Sequence, residues 1–164
     1  SKLAVETYLP IYERLCGLEH SVIRLGNVYG PRQDPHGEAG VVAIFAKAML
    51  GKKPLNIFGS GTDERDYVYV DDVVEAVVKV TESSLAGPFN IATGIGTNPN
   101  LIFEMIADLC DYVEEAVHVA PRAGDIEKIY LDVSKAEAEL GWSPKISFED
   151  GLKTTVEWFR QQAD

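Results

Sequence analysis

The chain reads Ser21-Val-Ile-Arg-Leu-Gly-Asn-Val-Tyr-Gly-Pro-Arg-Gln33 where a short strand-like run passes into a glycine-rich loop. The run from Ser21 to Leu25 is rich in β-branched residues and lacks the polar and apolar alternation of a half-exposed strand. It therefore predicts a strand buried on both faces. The loop extends to Gly40, and loops of this length are more often functional than idle. Because open α/β sheets bind ligands at the carboxyl ends of their strands, the segment predicts an α/β fold with a candidate ligand site.

Predicted helices and strands alternate on both sides of this segment, which favours a mostly parallel sheet. Apolar residues at helical spacing predict helices over 3–16, 41–50, 73–83, 101–112 and 134–141, and a last helix that starts at a capping box over 147–150. Short apolar runs predict strands over 55–58, 89–92 and 117–119. Tyr67 and Tyr69 alternate along the chain and are interpreted as sheet packing.

Several residues are placed to end or begin these helices. Gly17 is expected to end the first helix in a left-handed turn. Asp71 or Asp72 is expected to cap the third helix, and Ser134 the fifth.

Charge limits the classes of partner. Asp and Glu total 26 against 15 Lys and Arg, for a net charge of −11, so no nucleic-acid or anionic-membrane surface is expected. No apolar run reaches the length of a membrane span. Cys16 and Cys110 stand alone, and the three histidines lack ligand spacing, so no disulfide scaffold and no metal site are predicted. Free thiols indicate a cytoplasmic protein.

Three segments carry more glycine, arginine and asparagine than their predicted structure requires, namely 24–33, 59–66 and 121–125. Each also has a simpler interpretation as a polar turn, with Arg65 a solvated hairpin residue and Asn27 bonded to the local backbone. Alternatively, two or three arginines in an acidic protein would form a local anion site, and a guanidinium group suits a diphosphate because it donates two parallel hydrogen bonds. Residue types alone leave both interpretations open.

Six stretches, taken in order, resemble one enzyme family. They are Ser1-Lys2-x3-Glu6, Arg24-x2-Asn27-Val-Tyr-Gly-Pro-Arg-Gln33, Gly40-Val-Val-x2-Phe45, Gly59-x-Gly61-x3-Arg65-Asp66-Tyr-Val-Tyr-Val-Asp-Asp72, Phe89-Asn-Ile-x-Thr-Gly94, and Arg122-x-Gly-Asp125 with Ser134-Lys-Ala and Leu140-Gly-Trp-x-Pro144. The chain resembles the C-terminal half of an extended short-chain dehydrogenase/reductase of the NAD-dependent epimerase/dehydratase type. Within that family it is most similar to the UDP-glucose 4-epimerases.

The resemblance implies the C-terminal part of a Rossmann-type parallel sheet plus a small α/β nucleotide-sugar-binding lobe, with the N-terminal Rossmann core absent. Residues 1–28 and 66–94 would be remnants of the dinucleotide-binding core, and 29–65 and 95–164 would form the substrate lobe. Ser1-Lys2 would be the last two residues of the Y-x-x-x-K signature. The catalytic tyrosine is then expected upstream of this chain, and the fragment alone is expected to be inactive.

The resemblance also implies roles for individual residues. Lys2 would bond the nicotinamide ribose of NAD and lower the pKa of the tyrosine, because an ammonium group beside a phenol favours the phenolate. Leu25 and Val28 would lie beside the nicotinamide, and Asn27 would bind at the cofactor and near the diphosphate of the UDP-sugar. The other implied substrate contacts are Val41 and Val42, then Leu55, Asn56 and Phe58 at the uracil, Arg65 and Arg122 at the diphosphate, and Asp125 at a ribose hydroxyl.

The implied reaction interconverts UDP-glucose and UDP-galactose through a 4-keto intermediate, in galactose metabolism, by a homodimer that forms through the first helix. A related nucleotide-sugar dehydratase or decarboxylase is one alternative. Others are a non-catalytic nucleotide-sugar-binding module and a protein-interaction element. Ile129, a mid-sized residue where relatives differ, leaves the choice between hexose and N-acetylhexosamine open.

Overall fold

Six helices alternate with eight short strands in the residues that the structure, a computed structural model, describes, which are 2–36 and 40–162. The helices are α1 (Lys2–Cys16), α2 (Val41–Leu50), α3 (Val70–Glu82), α4 (Pro99–Cys110), α5 (Ser134–Leu140) and α6 (Phe148–Gln161). The strands are β1 (Ser21–Leu25), β2 (Asn27–Tyr29), β3 (Asn56–Phe58), β4 (Glu64–Tyr69), β5 (Gly87–Ile91), β6 (Gly96–Thr97), β7 (Val117–Val119) and β8 (Lys128–Ile129). The predicted α/β class is confirmed.

The strands form three small sheets. β1 pairs with β5, β3 pairs with β7, and β4 pairs with β2, β6 and β8. All of these pairs are parallel except β4 with β6. Because one residue, Gly26, separates β1 from β2, the chain passes there from one sheet to the next. β4 is thus the central strand, and its residues contact several parts of the chain.

The prediction that β1 is buried on both faces is wrong. None of its five residues is fully buried, and Leu25 is 47% exposed. In the described part of the chain β1 pairs with β5 alone, and α3 packs against it, whereas α1 has no buried residue. The burial of a strand depends on what covers it, and the strand's own sequence does not contain that information.

Two apolar cores hold the described chain together. In the larger, α2, α4 and α6 pack on the β2–β4 sheet, and its members include Tyr29, Phe45 and Ile102. In the smaller, Phe89 and Trp142 are fully buried between the β1–β5 sheet, α3 and α5. Each such side chain contributes roughly 1.5–3 kcal/mol by leaving water.

The helix ends confirm some of the predicted caps and correct others. Gly17 has a φ of 68° at the end of α1, and Ser147 accepts a hydrogen bond from the Asp150 amide at 3.1 Å, both as predicted. Neither Asp71 nor Asp72 caps α3, because the helix begins at Val70 and both residues lie inside its first turn. The Asp72 carboxylate instead accepts hydrogen bonds from two backbone amides of the segment before α6.

Candidate functional site

A cleft of about 280 Å³ lies beside β4, between β3 and the start of α2. Five separate segments contribute side chains to it, so only the folded chain assembles it. Seven residues that the sequence singled out line it, namely Asn27, Val41, Asn56, Phe58, Arg65, Arg122 and Asp125. Its other lining residues are Gly40, Ile44, Phe45, Ile57, Gly61, Asp63, Tyr67 and Pro99.

An aromatic ring and a guanidinium group form one wall of this cleft. Side chains alternate along β3, so Ile57 is buried in the core while Phe58 is 43% exposed toward the cleft. The guanidinium carbon of Arg122 lies 4.0 Å from the centroid of the Phe58 ring. At this distance the cation is attracted to the ring face. The pair presents a flat, positively charged surface that suits a planar ring or an anionic group.

Arg65 supplies a second cation from the centre of the sheet. Its Nη1 donates hydrogen bonds to the backbone oxygens of Ile126, at 2.5 Å, and Glu64, at 2.9 Å. Within 2–36 and 40–162, neither Arg65 nor Arg122 forms an ion pair with a carboxylate. Since a guanidinium has five N–H donors, both groups keep donors for an anion. The cleft is therefore locally basic in a chain of net charge −11.

Gly61 lets the β3–β4 loop approach α4 closely. Its φ is +72°, and an added Cβ would lie only 2.1 Å from Asn100 Oδ1. Asn100 in turn donates from its side chain to the Ser60 carbonyl at 2.9 Å. A side chain at position 61 would therefore strain the backbone and push the loop away from α4.

A second cleft, of about 220 Å³, adjoins the first and shares Asn27, Gly40, Val41 and Tyr67 with it. Val28 and Val42 line this second space. Burial raises the pKa of Tyr67 to about 12, although the Asn27 side chain opposes the shift. Tyr67 consequently stays a neutral phenol at physiological pH and presents an apolar ring with one polar tip where the clefts meet.

Three residues singled out from the sequence line neither cleft. Lys2 is exposed on the first turn of α1, and Leu25 ends β1. Leu55 is 4% exposed and belongs to the larger core. Sequence reasoning missed Tyr67 as a cleft residue, although it follows Arg65 by two positions on one strand and so shares its face.

The described residues contain no cluster of three or more His, Cys, Asp or Glu side chains that could hold a metal ion. Among the helices of 2–36 and 40–162, none is both long and apolar enough to cross a membrane.

Comparison with known proteins identifies relatives of the whole chain. The family model described as GDP-mannose 4,6 dehydratase matches residues 1–155. A UDP-glucose 4-epimerase from Mycolicibacterium smegmatis is 45% identical over 163 residues, which cover 99% of this chain and 52% of that protein. More distant curated relatives, 32% identical, include a dTDP-glucose 4,6-dehydratase and a UDP-glucuronic acid decarboxylase.

Solved structures agree with this result. The crystal structure of a UDP-glucose 4-epimerase from Thermotoga maritima, with UDP-glucose, superposes with a TM-score of 0.97 at 50% identity and covers 99% of this chain and 53% of that one. The Thermus thermophilus UDP-glucose 4-epimerase complex with NAD gives 0.89 at 42% identity, covering 96% of this chain and 51% of that one.

The chain spans about half the length of the curated relatives to which it is most similar. The family model matches residues 1–155 of the 164 in this chain, and the motifs that carry the likeness occur in order along it. The chain therefore belongs to the family of extended short-chain dehydrogenase/reductase epimerases and dehydratases, and it corresponds to the C-terminal half of such an enzyme.

Proposed function

We propose that this chain supplies the nucleotide-sugar-binding half of an NAD-dependent UDP-hexose 4-epimerase. The observation that carries the proposal is the convergence of Arg65 and Arg122, from segments far apart in sequence, on one cleft that also contains Asn56, Phe58 and Asp125. Two arginines that form no ion pair within the described part of the chain, an aromatic ring and polar side chains match the three parts of UDP, which are diphosphate, uracil and ribose.

Each group has a distinct task in this proposal. Phe58 and Asn56, neighbours on one face of β3, contact the face and the edge of the uracil. Arg65 and Arg122 bind the diphosphate, and Asp125 accepts a hydrogen bond from a ribose hydroxyl. Firm binding of the UDP moiety leaves the hexose to be oriented at the second cleft, where Tyr67 and Asn27 lie. Contacts that hold a substrate at a point remote from its reacting atom orient that atom, and such orientation is a major source of rate enhancement.

The cofactor side of the site is consistent with NAD. Leu25, exposed at the carboxyl end of β1, and half-buried Val28 offer apolar surface to a nicotinamide ring. NAD would supply the hydride acceptor for oxidation at the sugar carbon. Lys2 would hold a positive charge beside the phenol of the preceding half and so favour the phenolate at neutral pH.

The identities of the relatives favour an epimerase over the other activities of the family. The two UDP-glucose 4-epimerases with the highest identities given above share 45% and 50% of their residues with this chain, against 32% for the dehydratase and the decarboxylase. We propose that the intact enzyme is a homodimer in the cytoplasm.

Calorimetry with UDP and the 164-residue chain tests the binding site. The Arg122→Lys variant should bind UDP about tenfold more weakly, because an ammonium group neither stacks on Phe58 nor donates two parallel hydrogen bonds. Arg160→Lys is the matched control, since the Arg160 guanidinium bonds Leu109 and Glu157 on another surface. Absence of UDP binding, or equal affinity in both variants, would contradict the proposed site.

Product analysis tests the reaction. The half of the Thermotoga maritima enzyme that precedes the matching region can be fused upstream of Ser1 to complete the active site. This fusion enzyme should convert UDP-galactose to UDP-glucose when supplied with NAD. A 4-keto-6-deoxy sugar or released carbon dioxide as the product would reject epimerisation in favour of dehydration or decarboxylation.

A further inference from the structure

One buried carboxylate lies where three parts of the chain meet. Asp66 is 3% exposed and follows Arg65 in β4. Its Oδ1 accepts hydrogen bonds from the Thr93 amide at 2.8 Å and the Thr93 hydroxyl at 2.6 Å. Its Oδ2 accepts from the amides of Gly94, at 2.9 Å, and Leu131, at 3.1 Å. Four donors, three of them on the backbone, thus converge on one side chain.

These donors belong to the two sides of the proposed active site. Thr93 and Gly94 follow β5, which pairs with β1 and so lies on the expected nicotinamide side. Leu131 follows β8, which pairs with β4 beside Arg65 and continues the segment that carries Arg122 and Asp125. The Asp66 carboxylate therefore connects the segment that binds UDP to the sheet that faces the cofactor.

The backbone of Asp66 adds a third connection. A Cβ placed on Gly26 would lie 2.8 Å from the Asp66 carbonyl oxygen and 3.1 Å from Ala92 Cβ. The chain thus crosses from β1 to β2 in direct contact with Asp66. If Asp66 moved, the segments that follow β5 and β8 and the crossing between β1 and β2 would have to shift with it.

We propose that Asp66 is a positioning residue that sets the distance and angle between the bound UDP and the hydride acceptor. The inference rests on the proposed epimerase function and goes further, since Asp66 itself does not line either cleft that holds the substrate. UDP affinity depends on the segment that binds UDP, whereas turnover depends on the position of that segment relative to the sheet that faces the cofactor. Loss of the Asp66 carboxylate should therefore lower kcat and leave UDP binding nearly intact.

Asp66→Asn in the fusion enzyme is the test. An amide has one acceptor oxygen, so its NH₂ group must face either the Thr93 amide or the amides of Gly94 and Leu131, and these donors cannot reverse. We expect kcat to fall about 100-fold, as a misplacement of about 1 Å would cause. The Kd for UDP should stay within about threefold of the parent value.

Two neighbouring carboxylates provide matched controls. Asp71 is exposed, so Asp71→Asn should change neither quantity. Asp72 is as buried as Asp66. Its carboxylate accepts hydrogen bonds from the Lys145 and Ile146 amides, both at 3.1 Å, and from none of the segments that Asp66 connects. Asp72→Asn should destabilise the protein and keep the kcat of the parent. Equal loss of kcat in Asp66→Asn and Asp72→Asn, or a parallel loss of UDP affinity, would reduce Asp66 to a structural residue and overturn the proposal.

Amide hydrogen exchange separates this proposal from the proposed function. UDP should slow exchange of the Thr93 and Gly94 amides in the fusion enzyme, and it should not do so in Asp66→Asn. A parent that binds UDP, shows this protection and forms no UDP-glucose would reject the epimerase function alone. Protection that persists in Asp66→Asn would reject the role of Asp66.

Discussion

Val133 occupies the N-cap position of α5, and the side-chain acceptor at this helix end comes from Asp132 rather than from Ser134. The helix begins at Ser134, whose amide donates to Asp132 Oδ1 at 2.9 Å. This hydrogen bond and one from the Ser134 side chain hold the pKa of Asp132 below its usual value. The predicted cap is therefore wrong, because Ser134 is the first residue of the helix and the N-cap position lies one residue earlier, at Val133. A Ser two positions after an Asp leaves both choices open in the sequence.

Asp132→Ala should lower the melting temperature by a few degrees at pH 7, since an amide at the helix N-terminus loses its acceptor. A depressed pKa stabilises the fold above the unfolded-state pKa of the carboxyl group and ceases to do so as pH falls through the folded-state value. The difference between parent and variant should thus shrink in acid, which circular dichroism melts at pH 7 and at about pH 3 measure.

Ser134→Ala is the control for this cap, since it keeps the amide donor and removes only the hydroxyl. It should destabilise less than Asp132→Ala at pH 7. An equal or larger effect of Ser134→Ala would restore the serine as the main cap of α5.

At the scale of the element, α1 is held by charge rather than by burial. None of its residues is buried, and it carries Lys2 in its first turn. Glu6, one turn further on, accepts hydrogen bonds from Arg24 of β1 at 3.1, 3.2 and 2.5 Å. The ion pair lowers the pKa of Glu6 and raises that of Arg24. Lys2 and Glu6 lie on one helix face, so we expect the contact between Glu6 and Arg24 to set the rotation of α1 and thus the side on which Lys2 lies.

A charge swap tests this arrangement in the fusion enzyme. Glu6→Arg and Arg24→Glu should each lower kcat about tenfold, because each single variant places two like charges together and turns α1 away from β1. The double variant should recover much of the loss.

The exposed Glu149 and Lys153 pair on α6, 2.8 Å apart, serves as the control, and its swap should leave kcat unchanged. Additive losses in the Glu6 and Arg24 double variant would mean that the two residues act separately and that their contact does not orient α1.

The helices were predictable from sequence because each has apolar residues at helical spacing within its own segment. All six appear where the pattern places them, within a few residues. The two-residue strands β6 and β8 were not predictable, since only their pairing with β4 defines them. The same reasoning accounts for β1, whose composition predicts a strand correctly and its burial incorrectly.

At the scale of the whole molecule, the order of the motifs predicted more than any single pattern did. Local composition left Arg65 and Arg122 as solvated turn residues or anion ligands, and their meeting in one cleft favours the second interpretation. The hydrogen bonds to the Asp66 carboxylate could not be predicted, because their donors lie 27 to 65 positions away along the chain. Contacts of such separation are determined by topology.

An apolar surface on α1 leads to a last prediction about the molecule as a whole. Leu3, Tyr8 and Leu15 are 71%, 61% and 77% exposed, and they share the helix with several other exposed apolar residues. Apolar surface of this extent on one element is characteristic of an interface. We expect the 164-residue chain to self-associate through α1, with a second copy as the occupant, in line with the homodimer that the family resemblance implies.

Sedimentation velocity over a range of concentrations measures this association. The chain should form dimers or larger species at micromolar concentration, and the double variant Leu3→Glu, Leu15→Glu should shift it to monomer, because four buried charges in a symmetric pair are costly to desolvate. Val113→Glu is the matched control, since Val113 is 93% exposed and lies between α4 and β7, away from α1. UDP affinity should be equal in all three proteins, because α1 does not line the cleft. A parent chain that stays monomeric, or equal dissociation by Val113→Glu, would show that α1 is not the surface that joins two copies.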